Sequence, residues 1–155
     1  METSGRKDRY TLEKETRVTA QVEAGPAAGA AELIPKVVAA WAAHDADAFA
    51  DLFTRDGTMI IQGVFVRGRE EIRGFLAAAY AGPFRGTRVT GAPVDARSLS
   101  DGCSLVLTEG GILFPGETEV DAARQIRASW LAVRDEEGWR LAAYQNTPSM
   151  PATQH

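Results

Sequence analysis

Trp139-Arg140-Leu141-Ala142-Ala143-Tyr144-Gln145-Asn146-Thr147 is an otherwise apolar run that finishes in consecutive amide and hydroxyl side chains. It reads as a strand. Side chains on a strand alternate between its two faces, so one of Gln145 and Asn146 points inward, where its hydrogen-bonding groups need a partner or a ligand. The end of this strand therefore suggests the wall of a pocket.

Strand-like runs precede it, from Thr87 to Leu99, Cys103 to Phe114 and Val120 to Arg134. Ser100-Asp101-Gly102, Pro115-Gly116-Glu117 and Asp135-Glu136-Glu137-Gly138 link them with turn residues, so an antiparallel meander is expected. Gly91 and Pro93 in the first run, and Gly110-Gly111 in the second, mark bends that would curve it.

Upstream the pattern changes to a helical period. Leu33, Ile34, Val37, Val38 and Trp41 recur at helix spacing, with Pro35 tolerated in the first turn. His44-Asp45-Ala46-Asp47 breaks that helix, and Phe49, Leu52 and Phe53 predict a second one that stops at Asp56-Gly57. Thr58 to Ile61 and Val64 to Val66 form a hairpin around Gln62-Gly63. Gly68-Arg69-Glu70-Glu71-Ile72 then opens a third helix with Ile72, Phe75, Leu76 and Ala79 on one face, ended by Ala81-Gly82-Pro83. Helices first and a meander afterwards predict an α+β cone, three N-terminal helices on a strongly curved antiparallel sheet, its open end a cavity. The domain is expected over residues 30–150, after a leader at 1–29 that is flexible or packed on a partner, and before a tail at 151–155.

The chain has 155 residues, 45% of them apolar, which suits one domain. Its net charge of −4, without a Lys/Arg cluster, argues against nucleic acid. No apolar segment is long enough for a membrane span and the N-terminus has no signal-peptide core, so a cytoplasmic location is expected. The single cysteine, Cys103, reads as core packing, and His44 and His155 lie too far apart to suggest a zinc site. No nucleotide, flavin or nucleophile-elbow motif is present, so no cofactor is expected.

The stretch Ala40 to Phe49, the Asp56-Gly57 break, Gly63 with Gly68-Arg69-Glu70-Glu71-Ile72, and the closing Trp139 to Thr147 resemble the nuclear transport factor two-like superfamily. Within it they are most similar to the SnoaL-like, SgcJ/EcaC-type proteins of enediyne antibiotic pathways. The resemblance covers about residues 30 to 150. It implies a homodimeric cone that holds a hydrophobic polyketide or polyene and assists its cyclisation or tailoring.

Enzymes of this fold commonly abstract a proton beside a carbonyl with a buried carboxylate, as ketosteroid isomerase does. Asp45, at the corner between the first two helices, and Glu109, within a strand run, are the candidate bases. Asp45 also reads as a helix N-cap, and Glu109 as an outer-face acid. His44 is either a general base or a helix-end cap. Trp41, His44, Trp130, Tyr144, Gln145 and Asn146 are the candidate ligand contacts, with Trp130 able to stack on a flat ligand. The amides on the last strand, where related enzymes often carry a histidine or an acid, favour binding over acid/base catalysis. An isomerase, dehydratase or cyclase, or a module that docks on a polyketide synthase, are the alternatives. Finally, Ser129 to Val133 is apolar on both faces, which predicts a homodimer through the open face of the sheet.

Overall fold

The computed structural model describes residues 26–149, so the expected leader up to residue 25 and the tail lie outside the described residues. Helix α1 (Pro26–Ala31) is followed by α2 (Leu33–Ala42), with Glu32 at the joint still in helical geometry at φ −63° and ψ −18°. The interruption has a local cause. Pro35 has no N–H to offer the carbonyl four residues earlier and its ring crowds that carbonyl, so the helix is broken one turn ahead of it. Together α1 and α2 form the first expected helix, which starts earlier than Ala30 and buries Ala27, Ala30, Leu33, Ile34, Val37 and Trp41.

The α2 terminus explains the His44-Asp45 pair. The His44 N–H bonds Trp41 O at 2.8 Å and the Asp45 N–H bonds Ala40 O at 2.9 Å, with His44 left-handed at φ 51°. That is a Schellman ending. Asp45 then caps α3 (Ala46–Ala50), its Oδ1 accepting from the Ala48 N–H at 2.9 Å. We expect Asp45→Ala to lower stability by about 1 kcal/mol, as lost N-caps do, and to leave ligand affinity unchanged. Denaturant unfolding beside a binding titration checks both.

The second helix is shorter than the sequence suggests. Strand β1 (Phe53–Ile61) begins at Phe53 and runs through Asp56-Gly57. Phe53 has helical spacing from Phe49, but its burial comes from the sheet, where it is opposite Leu141. The register then shifts before Thr58 pairs Ala143, and the Phe53 carbonyl inside this irregularity accepts from Arg69 Nη2 at 2.6 Å and Nε at 2.9 Å.

β1 turns through Gly63 into β2 (Val64–Arg67), the expected hairpin. Gly68, at φ 87°, introduces α4 (Arg69–Ala81), which buries Ile72, Leu76 and Ala79. The meander is β3 (Arg88–Ser100), β4 (Cys103–Leu113), β5 (Ile126–Asp135) and β6 (Gly138–Pro148). Between β4 and β5, Asp121 caps a 3₁₀ turn at Ala122–Arg124, so the expected strand from Val120 starts only at Ile126. Cys103 is half-buried at the start of β4.

The strand order is β2-β1-β6-β5-β4-β3. Every adjacent pair is antiparallel except β1 with β6, which is parallel and makes the sheet mixed. A register shift between Pro93 and Asp95 bends β3, where the sequence placed a bulge. Gly110 permits the close approach of β3, since a Cβ there would collide with the Thr90 carbonyl. The helices cover the face of the sheet that carries Val106, Thr108, Ala128, Trp130 and Ala132, all buried. The α+β cone expected from the sequence is the architecture observed.

Candidate functional site

Helices on one face of a curved sheet leave an apolar cavity of about 360 Å³, the size of a small-ligand site. Its floor is Phe49, Met59, Leu76, Thr108 and Trp130, all buried, and Ile34, Val37 and Trp41 of α2 form one wall. The mouth is where lining residues reach solvent, at Gln62, Phe114, Ala123, Gln125 and Pro148.

The two tryptophans of the lining, Trp41 and Trp130, present rings rather than N–H groups. Trp41 Nε1 donates to Thr87 Oγ1 and Trp130 Nε1 to Thr108 Oγ1, each at 2.9 Å and buried. Their indole donors are thereby satisfied, and only aromatic surface remains for a ligand. Trp130 lies against Tyr144 with ring centroids 4.2 Å apart. The Asn146 amide donates to the Tyr144 hydroxyl at 2.7 Å. Burial pushes the Tyr144 phenol up to about 12, partly offset by that hydrogen bond, so it stays protonated at neutral pH.

Among the described residues lining the cavity, Arg124 is the one that is charged. Its guanidinium donates to Glu117 Oε2 at 2.6 Å and to Ile112 O at 3.2 Å, and rests 4.6 Å from the Phe114 ring centroid. The Arg124 guanidinium, aided by the Phe114 N–H, holds the Glu117 carboxyl below its ordinary range. The charge at the mouth is therefore already answered.

Of the ligand contacts expected from the sequence, Trp41, Trp130, Tyr144 and Asn146 come together on this cavity. The others do not. His44 lies outside it, its Nε2 3.0 Å from Thr87 O and its ring stacked on Tyr80. Asp45 is an exposed N-cap at that same turn, which is not the mouth. Glu109 and Gln145 are on the outer face of the sheet, where Glu109 accepts from Arg127 Nε at 3.2 Å and both border a second pocket of about 370 Å³. The inward residue of the two amides is Asn146.

Sequence reasoning missed Thr87, Thr108, Phe84, Phe114 and Arg124. Thr108 was within reach: strand parity sets it opposite to Glu109, on the face of Val106. Arg124 was not, because nothing local says that its turn folds over the cavity.

No curated protein matches the chain. Among solved structures, a domain of unknown function with a cystatin-like fold from Nostoc punctiforme is 25% identical, covers 80% of this chain and 79% of its own, and superposes with a TM-score of 0.72. An NTF2-like protein from Novosphingobium aromaticivorans covers 96% of this chain and 94% of its own at 19% identity and a TM-score of 0.68. A ketosteroid isomerase-like protein from Erwinia carotovora atroseptica is 16% identical, with coverages of 81% and 97% and a TM-score of 0.64. The family model of the SnoaL-like domain matches residues 34–133, the span from the wall of α2 through the Trp130 strand. The apolar cone and the sequence that builds it thus agree, and the chain belongs to the SnoaL-like domain family.

Proposed function

We propose that this protein binds a flat hydrophobic small molecule in the cone and orients it, without a titrating carboxylate. One observation carries the reading: the cavity lining holds aromatic and aliphatic side chains with a Tyr144 and Asn146 tip and, among the described residues, no Asp, Glu or His. Preorganising a flexible conjugated chain can lower a cyclisation barrier without proton transfer. The resemblance to SgcJ/EcaC-type proteins makes a polyketide or polyene of an enediyne-type pathway the proposed ligand. Asp45 and Glu109, the candidate bases of an acid/base mechanism, do not line the cavity.

Diphenylhexatriene, a conjugated polyene, tests this. It should quench tryptophan fluorescence saturably, and at a hundred times Kd should add about 2.7 kcal/mol of stability. A flat titration with an unchanged melting temperature removes the proposal.

We further propose that the protein works as a homodimer joined through the outer sheet face. Leu105 is opposite Leu131, with Leu107 and Val133 beside them, and all four are only half-buried in the single chain. Ile60 and Phe65 pair on the same face beyond Gln145, at 42% and 61% exposure. Light scattering at micromolar concentration should report about twice the 16.7 kDa chain mass. Leu131→Asp should return the chain mass, because a carboxylate would face that apolar surface. A monomeric wild type sinks the idea.

A further inference from the structure

The Tyr144 and Asn146 pair is open to a ligand. A phenol and a primary amide carry three polar protons between them, and their mutual bond uses one. In this orientation the two protons left over are the phenol proton and one amide proton, one on each residue. Among the described residues no other side chain or backbone group bonds either of them. They project into a cavity whose neighbouring walls are Trp130, Ala128, Ile126 and Met59. Unanswered donors against such walls are unfavourable, and among the described residues the lining supplies no carboxylate to accept them.

An acceptor therefore has to arrive with the ligand. A carbonyl oxygen has two lone pairs and no proton of its own, so it can take up both remaining donors. Among the described residues of the lining a cationic ligand would meet no counter-charge, and an anionic one would compete with Glu117 for the one guanidinium there. From this geometry we propose that the cavity selects a neutral conjugated carbonyl compound, its oxygen held by Tyr144 and Asn146 and its π system against Trp130. This assignment rests on the cavity-binding reading and names the class of its ligand. Because burial keeps the phenol protonated, the donor is in place throughout the neutral range.

Isothermal calorimetry of the full chain with 2-acetylnaphthalene, its isosteric hydrocarbon 2-isopropenylnaphthalene and the anion 2-naphthoate separates the two levels. Wild type should bind the ketone about tenfold more tightly than the hydrocarbon, the usual worth of one or two neutral hydrogen bonds, and should bind the carboxylate more weakly than the ketone. Tyr144→Phe and Asn146→Leu should each cut the ketone preference to roughly twofold or less while hydrocarbon affinity holds. Equal affinity for ketone and hydrocarbon in wild type overturns the carbonyl assignment and leaves cavity binding standing. So does a preference that survives in both variants, and naphthoate binding as tightly as the ketone overturns the neutral class. Binding of none of the three removes the cavity reading, and this assignment with it.

Discussion

Phe53→Ala should remove about 3–5 kcal/mol of stability, the usual loss for emptying a fully buried aromatic site. Phe53 is 0% exposed, stacks on Phe49 with centroids 5.8 Å apart, and starts the parallel pairing of β1 with β6. A Cβ on Gly57 would lie 3.0 Å from its ring, so the chain folds tightly over it and cannot easily collapse further. The site therefore has little means of refilling itself, which puts the loss in the upper range. With about 2–4 °C per kcal/mol for a domain of this size, the melting temperature should fall by roughly 10 °C. Chemical denaturation followed by tryptophan fluorescence measures it. A loss below about 1 kcal/mol would mean that the β1 irregularity contributes little to the fold.

Ala128→Phe should abolish ligand binding with little harm to folding. Ala128 sits on the inner face of β5, opposite Thr108 and Asn146 on the neighbouring strands, and lines the cavity floor. A phenyl group there projects into the space a ligand would use. Diphenylhexatriene affinity should drop at least about a hundredfold, equivalent to some 2.7 kcal/mol. Overpacking of a filled core typically costs about 1–3 kcal/mol, so a melting temperature within a few degrees of wild type would show that the ring entered open space. Retained affinity would place the ligand elsewhere on the protein.

Much of the local architecture was legible because it depends on near neighbours. The hairpin at Gln62-Gly63 and the α4 start at Gly68 were readable from single glycines, since β1 turns through Gly63 at φ 76° and Gly68 stands at φ 87° before α4. The end of α2 was readable from His44-Asp45, although as a break and not as a left-handed ending joined to a cap. The misplaced boundaries have a common cause. Phe53 has a spacing that suits a helix and a burial supplied by a strand. Val120 is the one β-prone residue in the segment to Gln125, and the Asp121 Oδ1 accepts from the Ala123 N–H at 2.8 Å and turns the chain before the ladder resumes.

By itself the sequence determined the kinds of element, their order and the apolar faces, because periodicity and turn chemistry act over a few residues. Only the tertiary structure decided which strand face became the cavity. Leu105 and Leu107 on one side of β4 are as apolar as Val106 on the other, so alternation could not rank them. The helices did, by covering the side of Val106, Thr108 and Trp130, which turned Asn146 inward and left Glu109 and Gln145 outside. The position of the mouth was likewise a long-range outcome. It depends on where the Ala122–Arg124 turn lies against Phe114 and Ile112, a contact between segments whose approach is set by the curvature of the whole sheet.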